Sequence, residues 1–107
     1  MDIKQVKAII HQYVQTLIQD GIKIEKVILF GSYAKNNAKP ESDIDLCIIS
    51  KDFGKNKIKE MSYLLLKAYD ICTLIEAIPY HPDYFKEYDY LPLIYEIITK
   101  GVEIPIS

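Results

Sequence analysis

The 107-residue sequence contains no arginine and no tryptophan, and it has only two cysteines. All thirteen cationic side chains are therefore lysines, so a side chain that binds an anion offers a compact ammonium group and not a bidentate guanidinium. The two cysteines, Cys47 and Cys72, lie in separate apolar runs without C-x-x-C or Cys/His metal spacing. This spacing favours two buried thiols over a disulfide or a zinc site.

A strong charge of one sign and a long apolar run are also missing. The net charge is only −2, so we expect no direct nucleic-acid binding. No apolar stretch approaches the roughly 20 residues that span a bilayer, and the N-terminus lacks the pattern of a signal peptide. We therefore expect no membrane association, a cytoplasmic location, and a single domain over residues 1–107.

Hydrophobic spacing predicts the element order helix, strand, loop, strand, helix, strand, helix. The predicted helices run from Ile3 to a left-handed cap at Gly21, from Ile58 to Ala68 through Met61, Leu64 and Leu65, and from Pro92 to Gly101. The predicted strands are Val27 to Phe30, Asp43 to Ser50, and Ile71 to Tyr80, with a polar turn starting at Pro82. The fold class is therefore α/β (α+β): a small mixed sheet of about three strands flanked by helices.

The direction of the third strand stays open at this point. A helical crossover from the second strand favours a parallel arrangement, whereas the late position of Glu76 in its apolar run suits an antiparallel one. In either case the alternation places Cys72, Leu74, Glu76 and Ile78 on one face, with Glu76 the carboxylate well inside the strand.

The stretch GSYAKNNAKPESDIDL joins the first two predicted strands. Gly31 and Ser32 directly follow a buried strand, and the residues after them predict a short helix with Ser32 as its N-cap, whose free amides attract phosphate. If the next strand is antiparallel to the first, the end of one strand meets the start of the other. Gly31, Ser32, Asp43 and Asp45 would then lie together.

Two aspartates open the second predicted strand. Their spacing places Asp43 and Asp45 on the same face, where the two carboxylates would repel each other unless a cation lies between them. An ordinary polar turn would not carry two carboxylates into an apolar strand, because burying them unpaired costs several kcal/mol. Hard oxygen ligands select Mg²⁺ or Mn²⁺, and Glu76 as a third carboxylate would complete a site for two ions.

The sequence GSYAKNNAKPESDIDL resembles the signature of the minimal nucleotidyltransferases of the DNA polymerase beta-like superfamily: Gly-Ser, ten residues, then Asp-x-Asp. The segments LIEAIPYHPDYFKE and LIYEIITKGVEI resemble the rest of that fold. The resemblance implies that Gly31 and Ser32 hold a nucleoside triphosphate and that Asp43, Asp45 and Glu76 are the catalytic carboxylates that bind two Mg²⁺ ions. Asp70 is the alternative to Glu76.

The resemblance also places Lys35 and Ser42 among the nucleotide-binding residues. The family usually has an arginine followed by a glycine where this chain has Lys35 and Asn36. Asparagine tolerates a left-handed backbone, so the turn is expected to survive, while Lys35 keeps the charge without the bidentate geometry.

The function implied by the resemblance is Mg²⁺-dependent transfer of a nucleoside monophosphate, AMP from ATP, to a hydroxyl. The expected acceptor is a tyrosine of a HEPN-domain toxin, for which the chain would act as antitoxin. Two alternatives are a catalytically weak or inactive module that neutralises a partner by docking, and a nucleotidyltransferase for small molecules of the antibiotic type. A cluster of tyrosines is either a docking surface or packing for the last helix: Tyr80, Tyr84, Tyr88, Tyr90 and Tyr95.

Overall fold

The computed structural model describes residues 1–106, which form four helices and one mixed sheet of four strands. The elements are α1 (Ile3–Gln19), β1 (Ile24–Phe30), β2 (Ile44–Ser50), α2 (Lys57–Tyr69), β3 (Ile75–Tyr80), α3 (Pro82–Glu87), α4 (Pro92–Lys100) and β4 (Val102–Ile104). The strand order is β3-β2-β1-β4; β1 is antiparallel to both β2 and β4, and β2 is parallel to β3. The predicted mixed class is confirmed, with four strands where about three were expected.

Helix α1 begins and ends at the residues that the sequence predicts. The Asp2 carboxylate accepts from the Gln5 amide at 2.8 Å and the Gln5 side chain accepts from the Asp2 amide at 3.0 Å, a reciprocal cap. Gly21 follows the helix at φ +96°, a left-handed conformation that glycine adopts without strain. The buried Tyr13 hydroxyl donates to the Leu64 carbonyl at 2.8 Å and so joins α1 to α2.

The sheet buries its two faces under different helices, as the period-two spacing of β2 predicts. Ile44, Leu46 and Ile48 belong to the core that α1 and α2 cover. Cys47 and Ile49 belong to a second core, on the opposite face, together with Ile94 and Ile97 of α4 and with residues of β1 and β3. Asp43 and Asp45 precede this second set in the same alternation, so the second face is the one that carries the candidate site.

The predicted third strand begins four residues too early. The Cys72 amide donates to the Ala68 carbonyl at 2.8 Å and the Ile75 amide donates to the Cys72 carbonyl at 3.2 Å, so the chain turns out of α2 before β3 starts at Ile75. Cys72 and Leu74 consequently pack on the α1–α2 side, away from the second face. The open question of direction is settled as parallel, because the α2 crossover returns the chain to the same end of the sheet.

The sequence patterns miss two elements, and they leave open which face of α2 is buried. Pro82 begins the short helix α3, not a polar turn, and β4 adds an edge strand of three residues beside β1. Helix α2 forms as predicted, but only Leu64 and Ala68 of its apolar residues are buried. The other three residues whose spacing predicts this helix are exposed: Ile58, Met61 and Leu65. In residues 1–106 no helix is both long and apolar enough to cross a membrane.

Candidate active site

The turn that follows β1 brings the backbone of Gly31 against a carboxylate. Gly31 has φ +73°, and a Cβ built on it would meet the Asp45 carboxylate within contact distance. A side chain at this position would therefore displace the Asp45 carboxyl group and strain the backbone as well. Glycine is the residue that lets the β1 turn and the start of β2 approach this closely.

The predicted short helix with Ser32 as its N-cap does not form. Residues 31–36 are a run of turns, closed by bonds from the Lys35 amide to the Gly31 carbonyl (3.1 Å) and from the Asn37 amide to the Ser32 carbonyl (3.0 Å). Asn36 adopts φ +61°, the left-handed backbone that the sequence led us to expect, and this conformation ends the turn before a second helical turn can follow. Within residues 1–106 the amides of Ser32, Tyr33 and Ala34 make no backbone hydrogen bond.

Three strands place one row of side chains on the second face. Phe30 of β1 pairs with Asp45 of β2, and Asp45 pairs with Glu76 of β3. Because paired residues on adjacent strands point to the same face, the Asp45 and Glu76 carboxylates are neighbours. Asp43 lies one residue before β2 and is exposed. Of the predicted convergence of Gly31, Ser32, Asp43 and Asp45, the approach of Gly31 to Asp45 is observed, through the antiparallel pairing of β1 and β2.

The cluster of acidic groups changes the chemistry of Asp45. Partial burial, followed by repulsion from the carboxylates of Glu76, Asp43 and Glu96, raises the pKa of Asp45 to about 6. Among the described residues Asp45 has no cationic partner that would compensate its charge. A half-buried, uncompensated carboxylate beside others is a site whose charge a bound cation would balance.

Glu96 on α4 is a residue of this site that the sequence patterns did not identify. Its Oε1 atom lies 2.6 Å from the Lys35 Nζ atom, and both side chains are about one-third exposed. Lys35, the candidate phosphate ligand, therefore forms an ion pair with a carboxylate. The available signal was that Glu96 is the one acidic residue in the otherwise largely apolar helix α4.

Two other candidates take structural positions. The Ser42 hydroxyl accepts from the Lys39 amide at 2.7 Å and so closes the turn that leads into Asp43. Asp70 is the C-cap of α2 and is exposed, whereas Glu76 pairs with Asp45 in the sheet. The geometry therefore favours Glu76 over Asp70 as the third carboxylate of the cluster.

A groove of about 560 Å³ borders this row and is lined by residues of β1, β2, the edge strand β3 and α2. Its charged groups are the two carboxylates Asp45 and Glu76, and its other walls are largely apolar: Phe30, Met61, Ser62, Leu65, Ala77 and Ile78. In residues 1–106 no three His, Cys, Asp or Glu side chains are close enough to share one ion. The chemistry of the residues nevertheless suits a divalent cation, because Asp45 and Glu76 offer adjacent oxygen ligands whose negative charge no cationic side chain balances.

Comparisons with known proteins agree with this arrangement. Residues 7–102 match the family model described as a nucleotidyltransferase domain. The chain is 30% identical over 104 residues to the Methanocaldococcus jannaschii protein named "Putative protein adenylyltransferase MJ0141", an alignment that covers 97% of this chain and 100% of the relative.

Solved structures share the fold at low sequence identity. A crystal structure of a "putative nucleotidyltransferase" from Sulfolobus solfataricus superimposes with a TM-score of 0.66 at 16% identity, covering 92% of this chain and 78% of that one. A toxin–antitoxin crystal structure with AMP-PNP superimposes with a TM-score of 0.57 at 21% identity, covering 91% and 73%. With the family model matched over nearly the whole chain and the acidic row placed against the Gly31 turn, the chain belongs to the nucleotidyltransferase family.

Proposed function

We propose that this nucleotidyltransferase moves AMP from ATP to a hydroxyl of a partner protein, and that residues 1–107 form one minimal catalytic domain. The observation that carries the proposal is the row of carboxylates, Asp45 beside Glu76, set directly against the side-chain-free backbone of Gly31. This arrangement joins a metal-binding surface to a turn with free amides. Nucleotidyl transfer needs both, because the reacting phosphate must be held while its charge is compensated.

The carboxylates Asp43, Asp45 and Glu76 would hold two Mg²⁺ ions, or Mn²⁺ in their place. When bound, these ions supply charge compensation for the triphosphate and lower the pKa of the acceptor hydroxyl. Asp45 is half-buried between its two strand partners, Glu76 on β3 and Phe30 on β1. Ser42 contributes by closing the turn that delivers Asp43 to the start of β2.

The turn after β1 is proposed to hold the phosphates. The free amides of Ser32, Tyr33 and Ala34 point to an anion-binding role, and the Lys35 ammonium would add a positive charge at the end of the same turn. Lys35 must exchange its Glu96 partner for a phosphate oxygen to do so.

In the proposed reaction the acceptor oxygen attacks the α-phosphorus in line with the bond to the bridging oxygen of the β-phosphate. The new P–O bond forms as that bond breaks, and pyrophosphate leaves. Asp45 or Glu76 accepts the proton of the acceptor hydroxyl, since both carboxylates line the groove by which the acceptor enters.

We propose a tyrosine of a HEPN-domain toxin as the acceptor, with the chain acting as its antitoxin in the cytoplasm. Two findings support this choice. The M. jannaschii relative, which this chain matches over its full length, is named a protein adenylyltransferase. One structural neighbour, at low identity, is a toxin–antitoxin assembly with an ATP analogue.

The test is to mix the purified chain with labelled ATP, MgCl₂ and a HEPN-domain protein from the same organism, and to locate the label by mass spectrometry. We expect AMP on a tyrosine of the partner. Glu76→Gln should reduce labelling about 100-fold or more, as loss of a metal ligand does, whereas the matched variant Asp70→Asn should stay within about twofold of the parent. The reverse order would place the third carboxylate at Asp70.

Two other outcomes would contradict the proposal in different ways. A stable complex that never acquires label, under conditions where ATP binds, would make the chain a docking module. Efficient labelling of free small-molecule alcohols, with no mass increase on the partner, would make it a small-molecule nucleotidyltransferase.

A further inference from the structure

Helix α2 leaves a stripe of large apolar side chains uncovered. We call Ile58, Met61, Leu65 and Tyr69 the α2 stripe; these residues follow one another at intervals of three, four and four and so lie along one side of the helix. Their exposed fractions are 80%, 41%, 48% and 56%, and Leu66 beside them is 66% exposed. Helix α2 thus buries a narrow edge, Leu64 and Ala68, and presents its apolar side to the surroundings.

The α2 stripe is continuous with the candidate active site. Met61 and Leu65 of the stripe line the same groove as the carboxylates Asp45 and Glu76. Strand β3 is an edge strand in the described sheet, so no further strand separates α2 from the carboxylate row on that side. A molecule that lies on the stripe would therefore reach the reacting groups without crossing a polar surface.

The size of the stripe suits a protein partner. The four side chains of the stripe and the adjacent Leu66, at their observed exposed fractions, leave on the order of 500 Å² of apolar surface. This is a large part of the roughly 800 Å² that each partner contributes to a standard interface. A free small-molecule acceptor needs only the groove itself.

At the first turn of α2, Lys57 and Lys59 are exposed and make no ion pair within residues 1–106.

We infer that the α2 stripe is the docking surface for the protein that supplies the acceptor hydroxyl, and that this partner presents an apolar surface with an acidic edge. The acidic edge would face Lys57 and Lys59, and the acceptor hydroxyl would enter the groove past Met61 and Leu65. The inference rests on the proposed function, whose acceptor it locates on the molecule.

The tyrosine cluster is a weaker candidate for this role. The rings of Tyr80 and Tyr84 stack at a centroid distance of 4.9 Å, and Tyr84 and Tyr88 lie 4.6 Å apart. Tyr80 is buried and belongs to the core under α4, so this part of the cluster is packing. It also lies at the end of β3 opposite to Glu76, where it does not border the groove.

The test compares two double variants, each of which replaces two exposed apolar side chains with glutamine. Ile58→Gln with Tyr69→Gln alters the stripe at residues that do not line the groove, and Ile3→Gln with Ile98→Gln alters α1 and α4 at side chains that are 47% and 50% exposed. Each protein is assayed with the same HEPN-domain protein for AMP transfer and, by sedimentation, for complex formation. We expect the stripe variant to raise the KM for the partner at least tenfold with ATP binding unchanged, and the control to stay within twofold.

The outcomes separate this inference from the proposed function. Labelling that proceeds equally well in the stripe variant would overturn the docking surface and leave protein adenylylation intact. If the parent binds the partner without labelling it, the proposed function is wrong. The docking surface is then tested by the dissociation constant of the complex, which the stripe variant should raise at least tenfold. A parent that forms no complex, or a stripe that instead mediates association of two copies of this chain, would also overturn it.

Discussion

The second face of the sheet has an open half and a closed half, and the same strands build both. In the open half Asp45 and Glu76 lie side by side over the groove, with Gly31 against the Asp45 carboxylate. In the closed half, two residues further along β2, Cys47 and Ile49 are buried under α4. Two residues along one face of β2 therefore separate an exposed surface from a packed core.

Burial has a different chemical consequence in each half of the face. Burial alone raises the pKa of the Cys47 thiol to about 12, which leaves it an inert neutral group. Burial and neighbouring carboxylates raise the pKa of Asp45 to about 6, which leaves a charged group near neutral pH that lacks a counter-ion. The closed half holds the strands in place, and the open half keeps charges where a ligand can balance them.

The largest expected effect is the loss of catalysis when the open half loses a carboxylate. Asp45→Asn removes a ligand for the proposed Mg²⁺ ions, so nucleotide transfer should fall at least about 100-fold, and Asp43→Asn should behave in the same way. Steady-state transfer rates at saturating Mg²⁺ and ATP measure this. Full activity in either variant would show that the aspartates do not bind the metal.

The second effect tests the closed half. Ile97→Ala removes a fully buried side chain of α4 and should lower the free energy of unfolding by about 3 kcal/mol, with the KM for ATP unchanged at a temperature where the variant is folded. Its neighbour Ile98 is 50% exposed, and Ile98→Ala should cost less than about 0.5 kcal/mol. Denaturant unfolding checks both values. An altered KM in folded Ile97→Ala would mean that the two halves are coupled.

The third effect is the pH dependence of stability without divalent ions. Because folding raises the pKa of Asp45 from its usual value of 3.8 to about 6, folding favours the protonated form, and this stability is lost as the pH rises through about 6. Asp45→Asn should therefore be more stable than the parent by about 1 kcal/mol above pH 7, allowing for solvent screening, and equal to it below pH 4. Unfolding in EDTA across this range measures the difference. If the difference in unfolding free energy between the variant and the parent did not change with pH, it could not come from the titration of Asp45 beside Asp43, Glu76 and Glu96.

The smallest effect concerns the rim of the open half. Glu96→Gln releases Lys35 and removes a negative charge near the incoming phosphates, so the Kd for ATP should fall about two- to fivefold, in line with a partly exposed ion pair. Glu103→Gln is the control, because its ion pair with Lys26 lies on the β1–β4 edge. Calorimetric titration with ATP measures both. Weaker binding in Glu96→Gln would instead show that Glu96 positions Lys35 for the nucleotide.

Local patterns were sufficient for much of the fold and for the centre of the site. The cap at Gly21, the strands around Gly31 and Asp45, and the left-handed Asn36 follow from residues that are close in sequence. Glu96 and the exposed α2 stripe were not predictable in this way. A helix with apolar residues on two sides has no unique buried face until its neighbours are placed, and an ion pair between residues 35 and 96 depends on how α4 crosses the sheet.

The sequence by itself determined the order of the main elements and the alternation that places Asp43 and Asp45 with Cys47 on one face, because a strand repeats every two residues wherever it lies. It also determined the Gly-Ser turn, since few residues adopt the backbone that Gly31 requires. Only the tertiary structure decided that β3 runs parallel to β2, that Glu76 pairs with Asp45, and that α4 packs on Cys47 and Ile49. These features depend on contacts between segments that are far apart in the chain. The free energy that stabilises them comes from the apolar surfaces that those segments bury against each other.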